Sequence, residues 1–199
     1  VRSSVITAVR LTYVGELGYE LHIPIDHALD VYRALISSGA DLGIRNAGYR
    51  AIESLRLEKG YRAWGSDLSP DHTPLEAGLG WAVKLTGKTD FLGKEALLQQ
   101  KREGVKKQLA CFTTDASNIN LIGRETIFRD DQRVGWLTSA GFGHTIGRPI
   151  GYGYVRNADG VDREYLERGV YSLEIAGTRV PCSLHLEPLY DPASSRIKG

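Results

Sequence analysis

"ETIFRDDQRVGWLTS", Glu125 to Ser139, reads as strand, turn and strand. Ile127 and Phe128 precede an Asp-Asp pair, Val134 and Trp136 follow it, and acidic pairs of this kind are turn chemistry. The rhythm repeats on both sides. "KKQLACFTT" (106–114), "PIGYGYVR" (149–156) and "YSLEIAGTRVPCSLHL" (171–186) are short strands, broken by Ala176-Gly177 and by Asn157-Ala158-Asp159-Gly160. Many short strands separated by turns predict a small antiparallel barrel or sandwich over residues 105–199.

The texture differs upstream. A helix over 93–103 carries Ala96, Leu97 and Gln100 on one face and closes at Gly104. Before it, "AGYRAIESLRLEK" reads as a helix from near Asn46 to Gly60, with Ala51, Ile52 and Leu55 as its apolar stripe. An earlier helix has Asp26 as N-cap, Ala28, Leu29, Val31, Tyr32, Leu35 and Ile36 as its apolar face, and Gly39 as its stop. At the front, "VITAVRLTYV" (5–14) and "YELHIPI" (19–25) alternate around a glycine-flanked turn and predict a hairpin. The fold class is therefore α+β. An antiparallel-sheet-plus-helices domain over 1–104 precedes the all-β domain, with the boundary near "EGVKK".

Composition is that of an ordinary globular chain, with 199 residues, 42% hydrophobic, 25% charged and a formal net charge of +1. That charge provides no footprint for nucleic acid or an anionic membrane, and no apolar run is long enough to span one. Cys111 and Cys182 show neither disulfide nor metal spacing. The five histidines, His22, His27, His72, His144 and His185, show no i, i+4 pair and no HExxH. "GFGHTIGRPIGYGY" lacks the Lys-Ser/Thr of a phosphate loop and reads as barrel turns. The chain contains no methionine, even at position 1. It reads as an internal or C-terminal piece of something longer, with ordinary processing as the alternative.

The hairpin holds the one polar oddity. In "YVGELGYEL" (13–21), Glu16 sits where the turn is expected and Glu20 lies among strand formers. Glu20 and His22 can be the solvent face of a half-buried hairpin. Alternatively, the Glu20 carboxylate can accept two parallel N–H bonds from a planar fork. Arginine offers such a fork, and so does the 2-amino-4-oxo edge shared by pterins and guanine. A two-residue loop sets Tyr13 opposite Glu20. A three-residue loop sets Tyr13 opposite Tyr19. Both registers are open at this point.

"YVGELGYELHIP", "GIRNAGYRAIESLRLEKGYRAWGSDL", "TPLEAGLGWAVKL" and "DFLGKEALLQQKREG" resemble the aminomethyltransferase (glycine-cleavage T-protein) family. The "YRAWGSDL" variant, "LACFT" and the tail "YDPASSRIKG" are most similar to the folate-binding C-terminal half of dimethylglycine and sarcosine dehydrogenases. The resemblance implies tetrahydrofolate as cofactor, with Glu20 holding the pterin edge and Tyr13 lining the same site. It implies a catalytic Asp in a first folate-side domain and FAD in a separate flavin domain, both upstream of this chain. Together they would yield 5,10-methylenetetrahydrofolate, an oxidoreductase function in one-carbon metabolism for which this chain alone is expected to be inactive. Arg56 matches the family helix, where a partly buried Arg–Glu ion pair is expected. The family's tail-binding Arg position is Ile52, so that role is not carried over.

Two other functions share the architecture: a non-catalytic regulatory subunit like that of pyruvate dehydrogenase phosphatase, and a T-protein-like transferase acting on a lipoyl-carried aminomethyl group. A guanine-edge RNA binder is disfavoured by the near-zero charge. The expected partners are folate and the two upstream domains, with no nucleic acid and no membrane. The expected compartment is bacterial cytoplasm, with mitochondrial matrix as the alternative.

Overall fold

A computed structural model describes residues 5–116 and 118–198. Strands β1 (Thr7–Val9) and β2 (Glu20–His22) form an antiparallel pair. Helices α1 (Ile25–Ser38), α2 (Tyr49–Lys59) and α3 (Lys94–Glu103) follow, with 3-10 turns at Ala40–Leu42 and Gly80–Ala82. Then come β3 (Val105–Thr113), β4 (Thr126–Arg129), β5 (Gln132–Gly143), β6 (Arg148–Val161), α4 (Arg163–Arg168), β7 (Tyr171–Ile175), β8 (Thr178–His185) and α5 (Ser195–Lys198). Strands β3 to β8 close into an antiparallel barrel in the order β3-β6-β5-β4-β7-β8. The α+β class holds, and of barrel and sandwich the chain forms the barrel.

Turn chemistry explains the hairpins. Asp130 and Asp131 have φ of 48° and 62°, and Ala176 and Gly177 have 48° and 78°. Two successive positive-φ residues make the primed turn whose twist matches that of the flanking strands. The barrel strands then sort their side chains by parity. On β3, Ala110 and Phe112 enter the barrel core with Ile127, Leu137, Val155 and Leu173. Leu109 and Cys111 face the other way and pack with Ile150, Tyr152, Tyr154 and Leu57 of α2. The barrel thus has an inner core and an outer one, and α2 seals the outer.

Glycines make the small interior fit. A Cβ on Gly153 would lie 2.5 Å from the Trp136 carbonyl oxygen and 2.6 Å from the Ile127 side chain. Because one neighbour is backbone, Gly153→Ala is expected to destabilise the barrel by about 1–3 kcal/mol in urea unfolding.

Several local expectations are corrected. Asn157–Gly160 is not a turn between strands. It is an excursion inside β6, where the register against β3 shifts between Val105 and Lys107. Pro24, not Asp26, occupies the N-cap of α1, and Asp26 lies in the first turn, where its charge suits the helix dipole. Helix α2 begins at Tyr49, after Gly48 in extended conformation. The predicted apolar face of α1 buries only Val31, while Leu29 and Tyr32 remain 56% and 47% exposed. The hairpin is also shorter than its pattern suggests. Val9 pairs with Glu20, so Tyr13 is opposite neither Glu20 nor Tyr19, and residues 10–19 are a long connection. The connection folds back locally, with the Val14 amide donating to Thr12 Oγ1 at 3.2 Å and Gly15 at φ 80°.

Candidate functional site

The C-terminal turn of α2 is the junction of the molecule. Arg56, Leu57, Glu58 and Lys59 are all buried, and each reaches a different element. Glu58 Oε1 accepts from the amides of Thr145 and Ile146 at 2.6 and 3.0 Å, which pins the β5–β6 turn. Arg56 is fully buried and donates in four directions. It reaches Asp67 at 2.8 Å, Ser139 Oγ at 3.1 Å, the Tyr61 carbonyl at 3.3 Å, and Glu53, which its Nε meets at 3.1 Å. Asp67 is equally buried, and it also accepts from the Ala63 amide at 3.0 Å and Thr138 Oγ1 at 2.5 Å. Burial opposes the charge on Arg56. The Glu53 hydrogen bond and the Asp67 carboxylate outweigh it and hold the guanidinium above its ordinary value. The expected Arg56–Glu pair is therefore present as Arg56–Glu53, and a second, fully buried carboxylate completes it.

Tyr13 lies against this network. Its hydroxyl donates to the Arg62 carbonyl at 3.0 Å, and its ring stacks on Tyr61 with centroids 5.9 Å apart and planes 9° from parallel. Burial raises the Tyr13 phenol above its ordinary value, and the Arg56 charge pulls against that rise. The near-parallel rings form a flat aromatic wall suited to a planar heterocycle.

Glu20 is placed differently. It sits on β2 with its side chain 57% exposed, and His22 Nε2 lies 3.8 Å from its carboxylate. The structure puts Glu20 and Tyr13 on one hairpin but does not set them face to face. A cavity of about 450 Å³ opens beside the same connection, lined by Arg10, Leu11, Thr12, Leu17, Gly18, Ile197 and Lys198. The cavities of about 630 and 860 Å³ on the barrel share no lining residue with the hairpin.

The remaining polar candidates stand apart. Cys111 and Cys182 are free thiols, both pushed up to about 12 by burial. His72 stacks on Tyr154, and burial, with Lys107 nearby, lowers its pKa. His185 meets Thr113 Oγ1 at 2.8 Å. Among the described residues, no three His, Cys, Asp or Glu side chains gather as a metal site. Tyr61, Glu53 and Asp67 were not singled out from sequence. The available signal for Tyr61 was its position directly after Gly60, the left-handed C-cap of α2.

The comparisons bear on the whole chain. Residues 1–87 match the GCVT N-terminal domain, and residues 107–191 match the glycine cleavage T-protein C-terminal barrel domain. Mouse mitochondrial sarcosine dehydrogenase is 45% identical over 98% of this chain and 21% of its own length. Mouse mitochondrial pyruvate dehydrogenase phosphatase regulatory subunit is 40% identical over 92% of the chain and 22% of its own. Mouse mitochondrial dimethylglycine dehydrogenase is 36% identical over 97% and 22%. The solved glycine cleavage system aminomethyltransferase T of Bartonella henselae superposes with a TM-score of 0.80 at 30% identity, covering 93% of this chain and 50% of that one. The chain thus spans about a fifth of the length of the curated relatives it matches. Its two matched domains, in this order and on this fold, mean that the chain belongs to the glycine-cleavage T-protein family.

Proposed function

We propose that this chain is the tetrahydrofolate-binding part of an FAD-dependent dehydrogenase of the sarcosine or dimethylglycine type. It would help to deliver the one-carbon unit to folate as 5,10-methylenetetrahydrofolate. The observation that carries this reading is 45% identity to a sarcosine dehydrogenase across 98% of the chain, hairpin included. Glu20 is the acceptor for the pterin's 2-amino-4-oxo edge, and its exposed carboxylate is free to take a two-donor fork. Tyr13, with Tyr61 behind it, supplies the stacking wall. Neither residue moves a proton in this account. They bind and orient, and proximity is the gain.

Residues 1–104 and 105–199 are the middle and barrel domains of this unit. Flavin chemistry and the catalytic Asp would belong to further domains outside the matched segment, which is about a fifth of the length of these relatives. Leu42, Tyr49, Trp64 and Trp81 are each at least 75% exposed on the first unit, an apolar surface suited to covering by such a domain. The mouse relatives are mitochondrial by name, which favours the matrix. Among the described residues, no helix is long and apolar enough to cross a membrane.

The test is calorimetric titration with a reduced folate. The parent enzyme is expected to bind it, and the isolated chain to bind weakly or undetectably. A parent enzyme with no affinity for folate overturns the proposal. The second reading, a regulatory module, is favoured by the 40% identity to the phosphatase regulatory subunit. It would be supported if the parent lacks amine-dependent flavin reduction.

A further inference from the structure

The geometry points to the C-terminal tail as a strap that holds the Tyr13 loop in place, with Glu16, Tyr190 and Lys59 as positioning residues. This rests on the reading of Tyr13 as a wall of the ligand site. The loop, residues 10–19, has almost no regular structure of its own, since the strand pairing ends at Val9 and Glu20. What fixes it comes from far along the chain. Lys59 forms the floor. A Cβ on Gly15 would stand 2.9 Å from Lys59 Cγ and Cδ, so the loop backbone lies directly on the aliphatic stem. The ammonium at the end of that stem is only 2% exposed. It donates to the Asp191 carbonyl at 2.5 Å, Ser194 Oγ at 3.2 Å and the Asp191 carboxylate at 3.3 Å.

The tail then closes over the loop. Tyr190 donates its hydroxyl to Glu16 Oε1, and Arg196 Nε stands 3.3 Å from Tyr190 Oη and 4.0 Å from Glu16 Oε1. Arg10, at the start of the loop, donates to the carbonyls of Ile197 and Lys198 at 2.9 and 3.1 Å. Asp191 organises the tail itself by accepting from the Ser195 amide at 2.9 Å, the Ser195 hydroxyl at 2.6 Å and the Arg196 amide at 3.1 Å. The tail is in turn anchored to α2 by the Tyr190 amide donating to the Glu58 carbonyl at 3.0 Å. The loop is therefore held from one side by α2 and from the other by residues 190–198. Glu16, which the sequence alone reads as a turn residue, is the loop's handle. A flexible loop would have to be ordered on binding. A strapped one presents Tyr13 already placed.

Amide hydrogen exchange on the ligand-free chain tests this. Removing a charge-assisted hydrogen bond should raise the opening rate of a loop about tenfold. Tyr190→Phe and Glu16→Ala are each expected to accelerate exchange over residues 10–19 by that factor, with β3 and β6 unchanged. Glu16→Gln keeps an acceptor oxygen for Tyr190 and is expected to stay closer to the parent rate. Glu16 is 45% exposed, so its variants leave the core intact. In 13C-tyrosine NMR, the Tyr13 phenol should shift toward its ordinary titration range in Glu16→Ala. Unchanged exchange over 10–19 in both Tyr190→Phe and Glu16→Ala overturns the strap. The exchange result stands whether or not folate binds, so absence of folate binding in the parent enzyme strikes the proposed function alone.

Discussion

Arg56→Met is expected to lower the unfolding free energy by about 3–5 kcal/mol in urea denaturation. Arg56 and Asp67 are both fully buried, 2.8 Å apart. Removing the guanidinium strands a carboxylate in the interior, between the Ala63 amide and the Thr138 hydroxyl. It also orphans Ser139 Oγ and the Tyr61 carbonyl. The effect should spread beyond α2, because these partners belong to the segment after the helix and to β5 of the barrel. Arg56→Lys should recover little, since an ammonium cannot reproduce a planar fork that serves four acceptors. Glu53→Gln should have a much smaller effect, because Glu53 is 40% exposed and its charge is partly hydrated. A loss below about 1 kcal/mol in Arg56→Met would mean that the pair is not the junction described here.

Glu20→Gln carries the second large effect, on binding rather than folding. In the parent enzyme it is expected to weaken reduced-folate affinity by about 1.5–3 kcal/mol, the contribution of one charged hydrogen-bonded anchor. That is roughly ten- to over a hundredfold in Kd. Glutamine keeps one acceptor oxygen but turns the other into a donor, which faces the donor edge of the pterin. Flavin reduction by the amine substrate should be unchanged, because Glu20 touches only the folate in this account. Stability should also be unchanged, since the Glu20 side chain is 57% exposed and the nearby His22 is a surface residue as well.

The barrel was legible because its signals are local. Asp130-Asp131 and Ala176-Gly177 turn the chain where they stand, whereas both faces of β3 are buried, so the inward direction of Phe112 and the outward direction of Cys111 are seen only in the structure. Helix α3 was readable for the same reason, with Gly93 and Gly104 at its ends. The N-cap of α1 was misplaced by two residues and the start of α2 by three. Asp26 and Asn46 are good cap types, but Pro24 and Gly48 hold the N-cap positions. What sequence could not reveal is long-range. Asp67 becomes the partner of Arg56 only when the segment after α2 folds back, and Ser139 joins from 83 residues away. The hairpin register failed because the glycines at 15 and 18 permit many connections. The one adopted depends on Lys59 and on a tail 174 residues downstream of Glu16. The family motif identified Tyr13 and Glu20 as candidates. It could not say that one stacks on Tyr61 while the other stands open on β2.

The most direct test of the account is calorimetric titration of the parent enzyme and its Glu20→Gln variant with a reduced folate, alongside flavin reduction by the amine. The account expects folate affinity to fall at least about tenfold while flavin reduction is retained. Equal folate affinity in the two proteins would contradict it.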